Sequence, residues 1–187
     1  RINACGRIDS AQTAFNLLIT DSRLEAMELA KELNSSNQQM QRIEAKILED
    51  VLRRLDKGEV DFSKERVIVL HQDGWHQGVL GIVASRIANK FYRPTVIISC
   101  SGGIGRGSAR SIRDFHLFDS LLKCQNYLRS FGGHKYAAGL NILEKDIPDF
   151  KENINKIAFE VLSAEHLVPS LDIDLELKLR DLSLGLI

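Results

Sequence analysis

Apolar residues recur at two different periods along this chain, and the switch between them divides it. Over residues 21–58, Leu24, Met27, Ala30 and Leu33 form one stripe, and Ile43, Ile47, Val51, Leu52 and Leu55 form another, at spacings of three and four. That period predicts helix with one buried face. Asp21 or Ser22 caps it and Lys57-Gly58 ends it; Asn34-Ser35-Ser36-Asn37 is either a break or a polar patch in one continuous helix. Ahead of it, Arg1 to Arg7 read as a polar start and residues 10–19 as a short apolar helix.

From about residue 65 the texture changes. Arg66-Val67-Ile68-Val69-Leu70-His71 is a short β-branched run, the pattern of a buried strand. Residues 78–92 return to helical spacing through Val79, Ile82, Val83, Ile87 and Phe91. After Pro94, residues 95–99 form a second strand. Strand, helix, strand predicts a right-handed βαβ crossover with a parallel pair. Residues 104–111 are expected to be a third strand, 115–131 a helix, 138–143 a fourth strand and 146–162 an amphipathic helix with Pro148 in its first turn. Residues 171–177 alternate strictly and read as a half-exposed strand of something else. The fold class is therefore α/β, with a mixed, partly parallel sheet flanked by helices.

An apolar fraction of 44% supports a real core, and no run of ~18 apolar residues reads as a membrane span. The chain opens on Arg1, so residues are expected upstream. Cys5, Cys100 and Cys124 lie far apart with no Cys-x-x-Cys pair, which fits free thiols in a reducing cytoplasm. The 25 basic residues balance 25 acidic ones, but unevenly. Between Gly102 and Tyr136 six Lys or Arg face two acids, whereas from Ala137 onward five face ten. The middle of the chain is locally basic.

Three short segments concentrate hydrogen-bond donors. In Asp73-Gly74-Trp75-His76-Gln77-Gly78, a helix N-terminus favours an anion, and His76 could donate to a phosphate. Trp75 either stacks on a base or is simply buried. His71, Asp73 and His76 are metal-ligand types, but their spacing matches no usual zinc pattern. In Gly105-Arg106-Gly107-Ser108-Ala109-Arg110-Ser111, strand alternation places Arg106, Ser108 and Arg110 on one face and Ala109 and Ser111 on the other. Two guanidiniums flanking a hydroxyl form a phosphate grip. In Gly132-Gly133-His134, the glycines either stop a helix or expose backbone N–H groups to a phosphate. In a parallel sheet such loops are expected to gather at the rim formed by the strands' carboxyl ends. Segments rich in donors and poor in carboxylates hold anions; nothing here resembles an Asp/His cluster for paired catalytic metals, so no metal ligands are assigned.

At these residues the chain resembles the RecJ family of single-strand-specific DNA exonucleases, within the DHH phosphoesterase superfamily. The resemblance rests on residues 1–7, with Cys5 where a second alanine is usual, on residues 74–86, on Gly107-Ser108-Ala109-Arg110-Ser111, and on Phe131-Gly132-Gly133-His134 with Ala137-Ala138-Gly139. It implies a division into the end of a DHH catalytic domain (1–20), a linker helix region (21–58), a DHH-associated substrate-binding domain (59–168) and the first strand of an OB-fold (169–187).

It also implies 5′→3′ degradation of single-stranded DNA in recombination and repair, with Mn²⁺ or Mg²⁺ bound by the DHH domain and none by this part, which alone would be inactive. Arg7, Ser108 and Arg110 would hold a phosphate, helped by Arg106, Ser111, Gly132, Gly133 and Trp75, while His76 and His134 would face the metal site as catalytic groups. Single-stranded DNA is the implied partner, with a helicase or single-strand-binding protein raised as a further one, and no membrane. The alternatives are a related phosphodiesterase on short oligonucleotides or cyclic dinucleotides, and a non-catalytic nucleic-acid-binding module.

Overall fold

The computed structural model describes residues 2–171, 173 and 175–178. The polar start is itself helical: α1 (Ile2–Ile8) and α2 (Gln12–Ile19) pack on the first half of α3 (Arg23–Asp56). Cys5, Ala14 and Leu33 are buried between them, with Leu17 alongside. Helix α3 runs unbroken for 34 residues, about 51 Å at ~1.5 Å per residue. The Ser22 hydroxyl accepts from the Glu25 N–H at its start, and Arg53 and Arg54 complement the dipole at its end. Asn34-Ser35-Ser36-Asn37 is thus a polar patch within the helix.

Five strands form one sheet in the order β1-β2-β3-β5-β4. Strands β1 (Ile68–Asp73) and β2 (Thr95–Ser101) are parallel and joined by α4 (Leu80–Phe91), as the apolar periods predict. Tyr92 closes α4 in the left-handed conformation before Pro94. Strands β3 (Ile104–Arg110), β4 (Leu128–Gly133) and β5 (Ala137–Leu143) continue the sheet antiparallel. Helices α5 (Leu117–Lys123) and α6 (Ile147–Val161) complete the chain order.

One predicted helix is overturned. Residues 115–131 do not form a single helix: α5 ends at Lys123, a 3-10 turn spans Gln125–Tyr127, and β4 follows. The apolar spacing serves both states, and pairing of β4 with β5 decides between them. Phe131 sits opposite Leu140 on the α5 side, where its ring meets Phe118 at 5.7 Å. Gly132-Gly133 therefore ends an edge strand and does not stop a helix. Farther on, Leu171, Ile173, Leu175 and Leu177 are exposed and outside any strand, and the rest of the expected final strand lies outside the described residues.

The sheet separates two cores. Ile47, Val51 and Leu55 of α3, with Val83, Ala84 and Ile87 of α4, cover Ile68, Leu70 and Ile97 on one face. Glu44 of α3 pairs with Arg86 Nε of α4 at 2.6 Å across that layer. On the other face Val96, Ile98, Ala109, Leu140 and Ile142 pack against Phe115, Leu121, Phe150 and Ile154.

Asn155 of α6 stitches this second layer to β1. Its Oδ1 accepts from the N–H groups of Arg66 (2.7 Å) and Val67 (2.8 Å), and its Nδ2 donates to the carbonyls of Val67 and Lys151. Asn155→Ala leaves buried backbone donors unpaired and should cost about 3 kcal/mol of stability. Urea unfolding checks this; a loss below about 1 kcal/mol would refute the stitch.

Candidate nucleic-acid interface

Period-two alternation puts Arg106, Ser108 and Arg110 on the α4 face of β3, with Ala109 in the opposite core. Register extends each into a cross-strand row. Arg106 lies between Ser99 and Asn141, and Asn141 in turn opposes Ser130, donating to its hydroxyl at 2.8 Å. Ser108 is followed by Gly139 and Gly132, and Arg110 by Ala137. Helix α4 packs over β2 and β3. Beyond it Gly132, Gly139 and Ser130 are exposed, so the face continues as a nearly side-chain-free floor edged by donors. Gln77 and Gly139, which lie inside the motifs but carried no assigned role, belong to this face, and so do Ser130 and Asn141. Strand parity was the available signal once the pairing was known.

The start of α4 meets the arginines. A Cβ on Gly81 would lie 2.8 Å from Arg110 Nη2 and 3.0 Å from Ser108 Oγ. Arg110 Nη1 donates to the carbonyl of Ala109 (2.7 Å) and approaches Ser108 Oγ at 3.4 Å, and Arg106 donates to Gln77 Oε1 at 3.2 Å. From α1, Arg7 donates to the carbonyl of Gly78 at 3.3 Å. Among the described residues Arg7, Arg106 and Arg110 have no carboxylate partner. Burial first, and then the like charge of Arg7, pull the Arg110 guanidinium below its ordinary pKa. Partly desolvated like charges side by side are relieved by an anion between them.

His76 is half-buried. Its Nδ1 accepts from the Gly78 N–H at 3.2 Å, which leaves the proton of the neutral ring on Nε2 as a free donor. A cleft of about 560 Å³ joins it to Arg7, Gly78 and Ser101.

The structure places the other expected groups as follows. Trp75 is buried at 7% exposure with Arg54 stacked 5.5 Å over its ring, its carbonyl accepts from Ser99, and it lines the cleft beside His76. The Ser111 hydroxyl donates to the Phe115 carbonyl at 2.7 Å, which fixes the turn into α5. The His134 N–H is not free for phosphate, because it donates to the Ala137 carbonyl at 2.8 Å and closes the β4–β5 hairpin. Gly133 makes that closure possible at φ +148°, where a Cβ would lie 2.3 Å from the same carbonyl.

Finally, the three segments do not gather at one rim. Asp73 pairs with Cys100 beside the Trp75-His76 loop, while Arg110 pairs with Thr95, roughly 16 Å down the strand at ~3.3 Å per residue. They are spread instead along one face, with His134 exposed at the hairpin tip.

The fold and this face define an α/β domain with a mixed sheet, one face of which carries arginines without carboxylate partners among the described residues. The chain belongs to the DHHA1 domain family, whose profile matches residues 64–160. It is 38% identical over 185 residues, 98% of its length, to the single-stranded-DNA-specific exonuclease RecJ of Bacillus subtilis, and 38% identical over 173 residues, 89% of its length, to that of Haemophilus influenzae. It spans 23% and 30% of those relatives. RecJ from Thermus thermophilus in complex with Mg²⁺ superimposes with a TM-score of 0.77 at 33% identity, covering 86% of this chain and 24% of that one. A structure of exonuclease RecJ bound to manganese superimposes with a TM-score of 0.75 at 34% identity, covering 86% and 39%.

Such hard cations take oxygen ligands, largely carboxylates; the β3 row of Arg106, Ser108 and Arg110 offers none, and Asp73 is the carboxylate that lines the cleft beside His76. Among the described residues no helix is long and apolar enough to cross a membrane.

Proposed function

We propose that this chain is the substrate-gripping part of a metal-dependent 5′→3′ exonuclease acting on single-stranded DNA in recombination and repair. The observation that carries the reading is the carboxylate-free pair Arg7 and Arg110, set with Ser108 beside an open floor of Gly132 and Gly139. Arg110 and Ser108 take one phosphate, with Arg7 closing over it from α1. Arg106, Asn141 and Ser130 follow the next stretch of backbone along their own row. His76 offers its Nε2 proton from the α4 side, and His134 stands at the hairpin tip beyond the floor. In this reading Mn²⁺ or Mg²⁺ is supplied by parts of the protein outside these residues, and no hydrolytic step is assigned to this chain's own groups.

Residues 1–20 are then the end of the metal-binding domain, 21–58 the linker, 59–168 the substrate-binding domain and 169–187 the start of an OB-fold. A helicase or single-strand-binding protein that delivers single strands, in the cytoplasm, completes the picture. The floor is open on its β4 side, which favours a continuous strand over a dinucleotide that a closed pocket would hold.

The test is fluorescence anisotropy with single-stranded and duplex oligonucleotides of equal length across a salt series. Single strands carrying a 5′-phosphate should bind most tightly, with a log–log salt slope of about −0.7 per phosphate held. Equal affinity for duplex and single strand would overturn the assignment. With Mn²⁺ or Mg²⁺ added, the 187-residue chain alone should not cleave the strand, and hydrolysis by a clean preparation would refute the division of labour.

A further inference from the structure

On the face of the sheet away from the grip, three side chains that the proposed function does not use converge. His71 of β1 follows Val67 and Val69 in alternation, and Cys100 of β2 follows Val96 and Ile98, so both point to the α5–α6 side. Glu144 follows β5, and its N–H donates to the Gly103 carbonyl at 3.0 Å, which ties it to the turn just after Cys100. His71 Nδ1 and Cys100 Sγ are 3.9 Å apart, and one ligand atom from each of the three residues lies within 4.8 Å of the others. The His71 carbonyl is held by Arg54 at 2.9 Å, which fixes the strand that carries the ring.

We propose that His71, Cys100 and Glu144 bind a single Zn²⁺ ion. The donor set decides the ion. A thiolate, an imidazole and a carboxylate suit a borderline-soft cation, whereas Mg²⁺ rejects sulfur and Mn²⁺ stands lowest among the first-row divalent ions for such ligands. Bonds of about 2.3 Å to sulfur and about 2.05 Å to nitrogen at a tetrahedral angle place those two atoms about 3.6 Å apart, close to the observed 3.9 Å. Glu144 is exposed and free to swing its carboxylate inward, which leaves a fourth position for water.

Without metal, burial and the nearby carboxylates of Glu144 and Asp73 push the Cys100 thiol above its ordinary range. Binding replaces the S–H bond with an S–Zn bond and releases the proton to solvent. The thiolate and the Glu144 carboxylate then balance the two positive charges. Affinity therefore rises with pH, with Glu59, Asp73 and Arg54 as the other charged groups bearing on the cluster. The ion would clip the ends of β1 and β2 to the β5–α6 junction. Directly across the sheet, Ser99 holds the Trp75 carbonyl at the root of the His76 loop.

The test is a Co²⁺ titration of the full 187-residue chain. One equivalent should produce a sulfur-to-cobalt charge-transfer band that Zn²⁺ abolishes and excess Mg²⁺ or Mn²⁺ does not. The band should vanish in Cys100→Ser and persist in Cys124→Ala, whose thiol is sequestered by burial with a pKa raised to about 12. Because His71 and Cys100 are part of the sheet, Glu144→Gln on its exposed turn is the decisive variant, with far-UV circular dichroism confirming its fold. It should lower Zn²⁺ affinity at least ~100-fold in competition with a chromophoric chelator, the upper end of what removal of an outer-shell partner costs. Absence of the band in the native chain, its survival in Cys100→Ser, or unchanged affinity in Glu144→Gln would each overturn the site.

Discussion

Arg110→Ala should weaken binding of a 5′-phosphorylated single strand by roughly 10- to 100-fold without loss of fold. A hydrogen bond to a charged group contributes about 1.5–3 kcal/mol, and a guanidinium can make two to one phosphate. Within the fold this guanidinium donates to the Ala109 carbonyl and approaches the Ser108 hydroxyl. Arg110 has no carboxylate partner among the described residues, its neighbour Arg7 repels it, and partial burial disfavours its charged form. Burial and Arg7 oppose the charge, which offsets the lost hydrogen bond to Ala109, so removing the side chain should change Tm little. The log–log salt slope should become shallower by about 0.7 for each phosphate no longer held. Arg110→Lys should recover the charge but little of the affinity, because a single ammonium cannot reproduce the planar fork. Anisotropy titrations of the two variants decide the matter. Undiminished binding by Arg110→Ala would remove this residue from the grip.

Gly78→Ala should damage stability and binding together. A Cβ there would lie 1.8 Å from the Arg7 carbonyl oxygen and 2.7 Å from its carbon, a clash of backbone with side chain that no rotamer relieves. Either α1 moves away or the 3-10 turn preceding α4 distorts. Overpacking of this kind costs about 1–3 kcal/mol, and backbone against Cβ belongs at the upper end. For a domain of this size that is a fall of roughly 6–12 °C in Tm. If α1 moves, Arg7 leaves with it, and affinity for the single strand drops as well. Arg7→Ala provides the contrast, since its exposed side chain should cost binding without a comparable fall in stability. Differential scanning calorimetry beside anisotropy separates the two. An unchanged Tm in Gly78→Ala would show that α1 does not seat on this turn.

Much of the architecture is legible without coordinates because it is written in short-range patterns. The β-branched run at residues 66–71, the helical spacing after Gly78 and Pro94 before the next apolar run require the parallel pair β1–β2 and its crossover. The grip on β3 is legible for the same reason: alternation alone places Arg106, Ser108 and Arg110 together. The failures share a different cause. Leu121, Leu122 and Leu128 suit a helix as well as a helix followed by a strand, and the hairpin with β5 tips the balance through pairing that no local period encodes. Ser111 and Trp75 have the chemistry of ligand-binding groups, and their partners in the fold, the Phe115 carbonyl and the Arg54 guanidinium, are set by contacts that no local pattern encodes.

Local pattern sets the element types wherever one period dominates, the order of strand, helix and strand, and the donor-rich, carboxylate-poor character of the motifs. Which of those donors meet follows from long-range packing. Arg7 reaches Arg110 because Gly78 lets α1 press on the start of α4, and Gly132 lines up with Ser108 because β5 lies between β3 and β4. The same long-range pairing spreads the three motifs along one face and brings His71, Cys100 and Glu144 together on the other. The physical reason is range. Period and propensity act over a few residues, whereas register, burial and the meeting of charges depend on contacts between positions far apart in the chain.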